Sequence, residues 1–65
     1  MEEAEMKIIK ALEGDNFGKT FTEIAEITGL AYNQVSACIS KLIEQGVVET
    51  REFQAGIIVY RLKSF

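Results

Sequence analysis

Apolar residues recur at helical spacing through the first two thirds of this chain and change to alternation in the last third. Over residues 2–13, Ala4, Ile8, Ala11 and Leu12 share one side of a helix, and Ile9 widens that side. Glu2, Glu3 and Glu5 suit the positive N-terminal end of such a helix, and its outer face reads as acidic and solvated. A seam of Met1, Met6 and Ile9 is a second use for the same helix. Gly14 to Gly18 has the Gly, Asp and Asn of a loop, and Phe17 or Phe21 is expected to plug the core between the first two helices. Lys19-Thr20-Phe21 has room for a short strand. Thr20-Phe21-Thr22-Glu23 then has capping-box spacing, in which a Thr hydroxyl accepts from an amide three residues on and the Glu reaches back. Ile24, Ala25 and Ile27 give this second helix an apolar side, and Gly29 can take the left-handed conformation that ends it. A third helix over Ala31–Gln45 carries Val35, Ile39, Leu42 and Ile43 at i, i+4, i+7 and i+8, and Gly46 closes it.

Val47–Phe53 and Ile57–Leu62 read as strands, being rich in β-branched and aromatic residues. Gln54-Ala55-Gly56 fits a three-residue hairpin loop with Gly in the left-handed position. That loop sets Phe53 opposite Ile57, Arg51 opposite Val59 and Glu49 opposite Arg61. One face then holds Val48, Thr50, Ile58, Tyr60 and Leu62, which are assigned to the core. The other holds Glu49 paired with Arg61, together with Arg51, Lys63, Phe53, Ile57 and Val59. Phe53, Ile57 and Val59 make an unusual outward apolar trio and a candidate interface; Phe65 is a candidate fourth member.

Two short helices joined by a Gly-containing turn form a helix-turn-helix. The fold class is therefore α+β, mainly α: three helices followed by a C-terminal β-hairpin, in one domain over residues 1–65. Thr20 to Leu30, Val35-Ser36-Ala37-Cys38-Ile39-Ser40-Lys41-Leu42 and Gly46-Val47-Val48-Glu49 together resemble a winged helix-turn-helix domain. The resemblance is to small bacterial and archaeal transcription regulators of the multiple-antibiotic-resistance and arsenical-resistance types, and it extends over nearly the whole chain. It implies a DNA-binding protein whose third helix reads the major groove while the hairpin, or wing, contacts the backbone. The alternative is a winged-helix protein-interaction module in a larger complex, without direct DNA binding.

Composition narrows the choice. The chain has no His and one Cys, Cys38, so the usual parts of transition-metal sites and of Ser-His or Cys-His catalysis are missing. No enzyme activity, cofactor or metal is expected, and Cys38, beside Val35, Ile39 and Leu42, reads as a small core filler. The acidic Met1–Glu5 start is unlike a secretory leader, and no apolar run reaches the roughly 18 residues of a membrane helix. A cytoplasmic setting is expected, with no membrane partner. A chain of 65 residues supplies only about 3–5 kcal/mol from its core, which favours a homodimer or a protein partner. Net charge is −3, distributed as −4 over residues 1–29 and +1 over residues 30–65, so the acid is concentrated away from the third helix and hairpin in sequence.

In a helix-turn-helix, the N-terminal residues of the second helix meet base edges while the first helix crosses the backbone. The positions left outside by Val35, Ile39, Leu42 and Ile43 are Tyr32, Asn33, Gln34, Ser36, Ala37, Ser40 and Lys41. Asn33 and Gln34 can bond adenine in a bidentate way, and Ser36 and Ser40 can serve base edges or phosphate. Lys19, Thr20 and Thr22 are phosphate candidates near a helix N-terminus, and Arg51 and Arg61 are candidates on the wing. Double-stranded DNA is thus the expected partner. The sequence departs from the resembled pattern in three places. Ala31 stands where a capping Ser or Thr is usual, so Asn33 or a backbone group must cover that helix end. Ala37 stands where many relatives carry Arg, and the wing tip has no basic residue.

Overall fold

The computed structural model describes residues 2–63; Met1 and Phe65, named above for a seam and an apolar patch, lie outside them. The chain forms α1 (Glu3–Leu12), α2 (Phe21–Thr28), α3 (Tyr32–Glu44), β1 (Val48–Phe53) and β2 (Ile57–Leu62). The two strands form an antiparallel sheet. Three helices followed by a two-stranded sheet is the winged-helix arrangement.

Local chemistry accounts for each boundary. The Thr20 hydroxyl accepts from the Glu23 amide at 3.2 Å, and the Glu23 carboxylate accepts from the Thr20 amide at 2.8 Å. Gly29 ends α2 at φ +72°. At the end of α3, the Gly46 amide donates to the Ile43 carbonyl and the Val47 amide to the Leu42 carbonyl, at 3.0 and 2.9 Å. That double bond pattern is a Schellman motif, and it sends the chain directly into β1. The Ala31 end of α3 is covered by neither Asn33 nor a backbone group. Instead the Gln34 side-chain oxygen accepts from the Ala31 amide at 3.1 Å.

The core is one cluster built from Ile8, Leu12, Ile24, Ala25, Val35, Cys38, Ile39, Leu42 and Val48, with Phe21, Tyr60 and Leu62 packed against it. Three of the apolar positions read on the helices, Ala11, Ile27 and Ile43, do not enter it. Ile27 and Ile43 are exposed, because each trails round its helix beyond the width that three short helices can cover. Cys38 occupies the seam beside Val35 and Ile39 and is buried. Phe21, not Phe17, packs against the core. Glu5 departs from the expected solvated acidic face: it is only 4% exposed, pointing inward from the first turn of α1.

The hairpin register is the one read from its loop, with Glu49 opposite Arg61, Arg51 opposite Val59 and Phe53 opposite Ile57. Burial of its faces is not as read. Thr50 and Ile58, assigned to the core, are exposed; Ile58 lies in the distal half of the hairpin, beyond the helices. Val59, assigned to the outer face, is 2% exposed. The loop before α2 covers it: an added Cβ on Gly18 would lie 3.2 Å from a Val59 methyl. The expected short strand is a single bridge, with Lys19 and Tyr60 exchanging amide-to-carbonyl bonds at 2.9 and 2.8 Å; Thr20 already caps α2.

Candidate nucleic-acid interface

Burying Val35, Cys38, Ile39 and Leu42 turns the opposite side of α3 to solvent. Asn33, Ser36, Ala37 and Ser40 are all exposed there. This surface is uncharged except for Glu44 near its C-terminal end. Tyr32 flanks it at the N-terminal end, packed edge-on against Phe21 at 5.3 Å between ring centroids, and its hydroxyl lies 3.4 Å from that of Thr22. The structure thus brings Thr22 of α2 and Tyr32 of α3 together at one edge of the exposed face. Asn33 is exposed and has no capping duty. Gln34 is partly committed: its oxygen covers the Ala31 amide, leaving its –NH2 group as the available donor.

The cations are placed differently. Lys41 turns toward α1, where its ammonium lies 3.5 Å from carboxylate oxygens of both Glu2 and Glu5. Glu2 first, and then Glu5, hold the Lys41 pKa above its ordinary value. Lys19 is paired with Asp15, and that bond, followed by one from the Gly18 amide, lowers the Asp15 pKa. Arg61 donates through Nε to Glu49 at 2.6 Å and through Nη1 to the Asn16 carbonyl at 3.0 Å. Thr20 caps α2. Arg51 is exposed on the outer wing face and makes no ion pair among the described residues.

The sequence did not reveal the carboxylates beside α3. Glu2, Glu3 and Ala4 line a shallow groove with Gln34, Ala37 and Cys38. Acid that is remote in sequence therefore borders one flank of the exposed helix. The inward-turned Glu5 sits at helical spacing with Ile8 and Leu12, which is the one signal for its position. Burial, and after it Glu2 and Glu5, push the Cys38 thiol above its ordinary pKa, which disfavours the thiolate. Among the described residues, no group of three or more His, Cys, Asp or Glu side chains could hold a metal, and no helix is long and apolar enough to cross a membrane.

Comparison with known proteins follows the same lines. Residues 1–49 match the family model described as winged helix-turn-helix DNA-binding. Among solved structures, a possible HxlR family transcriptional factor from Thermoplasma volcanium GSS1 is similar, with a TM-score of 0.80 and 31% identity over 97% of this chain. This chain spans only 57% of that one. Dissimilatory sulfite reductase D (DsrD) superposes with a TM-score of 0.77 over 98% of this chain and 90% of its own, at 20% identity; at that identity the likeness is one of fold. No curated protein sequence matches the chain significantly.

Proposed function

The chain belongs to the winged helix-turn-helix DNA-binding family, and from that premise we propose that it is a small transcriptional regulator acting on double-stranded DNA in the cytoplasm. The observation that carries this reading is the outer face of α3, uncovered and rich in hydrogen-bonding groups. In this reading α3 enters the major groove. Asn33 reads an adenine edge, the Gln34 amide donates beside it, and Ser36 and Ser40 bond base edges or phosphate. Thr22 and Tyr32 contact backbone at one rim, and Arg51 reaches it from the wing. Ala37 gives close approach without a charge. The family match supports binding rather than catalysis as the role.

With Lys19, Lys41 and Arg61 engaged by carboxylates, few cations remain to displace counterions. Affinity of one copy is therefore modest, and two copies on successive grooves about 34–36 Å apart supply the rest. The test is a fluorescence titration with duplex DNA at low and moderate salt. Binding that weakens steeply with salt is expected. Asn33→Ala with Gln34→Ala should change sequence preference, while Arg51→Ala should weaken binding to all sequences alike. No binding at low salt, by dimer as well as monomer, overturns the proposal.

A further inference from the structure

The outer face of the wing carries an apolar cluster that the DNA-binding reading, which takes only Arg51 from this face, leaves without a role. Phe17, Phe53 and Ile57 are 51%, 38% and 46% exposed. Phe17 and Phe53 come from distant parts of the chain and meet edge to face, with ring centroids 4.9 Å apart. The loop that brings Phe17 here is firmly tied. Asp15 accepts from the Phe17 and Gly18 amides at 3.1 and 2.9 Å, Lys19 is bridged to Tyr60, and Arg61 holds the Asn16 carbonyl. The aromatic pair is thus a preformed platform, and a ligand that covers it orders little.

Charge selects among occupants. Arg51 lies on this face by strand alternation, and Lys63 continues the same alternation one residue beyond β2. Neither has an ion-pair partner among the described residues, whereas Arg61 and Glu49 neutralise one another. An apolar centre at the hairpin tip, with Arg51 two residues from Phe53 and Lys63 about 20 Å from Ile57 along the same face, thus stands out on a chain of net charge −3. A second copy bringing the same face would set like charges together. Duplex phosphate would match the cations and leave the apolar centre without a partner. An acidic segment with apolar side chains matches both. We propose that the outer wing face, centred on Phe17, Phe53 and Ile57, docks a short acidic segment with apolar anchors from a partner protein.

This proposal shares Arg51 with the regulator reading but stands on the apolar cluster, and its test leaves Arg51 unchanged. A phage-displayed random twelve-residue peptide library, selected on the wild-type chain and counter-selected on Phe53→Ser, tests it. Enrichment of sequences combining Asp or Glu with Phe, Leu or Ile is expected. The leading peptide, fluorescein-labelled, should bind at least tenfold more weakly to Phe53→Ser, Ile57→Ser and Lys63→Glu by anisotropy. All three positions are exposed, so the variants should keep the wild-type circular dichroism spectrum, and the two uncharged changes, Phe53→Ser and Ile57→Ser, should also keep the wild-type duplex-DNA titration. No enrichment, or enrichment of basic sequences, overturns the proposal. So does preferential binding of a fifteen-nucleotide thymidine strand, which would mark a stacking surface for single-stranded nucleic acid. A fall from dimer to monomer mass in Phe53→Ser by sedimentation would instead assign the face to a second copy, and would equally overturn it.

Discussion

At Gly18 the backbone takes φ +106°, and an added Cβ would lie 2.9 Å from the Tyr60 carbonyl oxygen and 3.2 Å from Val59. The missing side chain is what lets the loop before α2 lie on β2, bury Val59 and deliver Phe17 to Phe53. Gly14, at φ +76°, has open space where its Cβ would be, so substitution there meets only backbone strain. Gly18→Ala should therefore cost about 1–3 kcal/mol in a urea melt, and Gly14→Ala about 1–2 kcal/mol. Loss of the Phe17–Phe53 contact by NMR should accompany the first variant alone. Equal costs with the contact intact in both would show that Gly18 does not set this packing. Glu5 makes a related point about single residues. Its composition-level reading is a surface acid, yet its place one turn before Ile8 turns it inward, where Lys41 answers it.

Among the elements, α2 and α3 start differently. α2 has a reciprocal capping box, whereas α3 has only the returning half, from Gln34 to the Ala31 amide. Ala31 already has the extended backbone of a capping residue, φ −67° and ψ 153°. Ala31→Ser should thus supply the missing acceptor and raise stability by about 0.5–1 kcal/mol, read as a higher melting temperature. A lower one would mean that the α3 N-terminus is already satisfied. The hairpin is likewise divided along its length. Its proximal half rests on the core through Val48 and Tyr60, while in the distal half Ile58, on that same face, is exposed and the opposite face carries the loop of Phe17 and Gly18. Alternation assigns faces correctly but gives no information about how far along the strand each face is covered.

For the whole molecule, charge placement sets the balance between partners. Glu2 and Glu3 lie along one flank of α3, beside Gln34 and Ala37, and would repel phosphate brought to that helix. Glu2→Gln with Glu3→Gln should raise duplex-DNA affinity on the order of a few-fold at low salt. The gain should shrink as screening length falls toward about 8 Å at physiological ionic strength. An unchanged affinity at low salt would place the bound duplex away from this flank of α3.

Element order, the caps at Thr20 and Gly29, the Gly46 stop and the hairpin register all follow from neighbours a few residues apart, and the sequence by itself determines them. The same local spacing exposes Asn33, Ser36, Ala37 and Ser40. Tertiary structure alone decided that Val59 is covered and Ile58 is not, that Arg61 reaches the Asn16 carbonyl, and that Lys41 turns to Glu2 and Glu5. Each depends on which element closes over another, and burial and ion pairing are properties of meeting surfaces. A periodicity records which way a side chain leaves its own backbone, but the segment that arrives opposite it is fixed only when the chain packs.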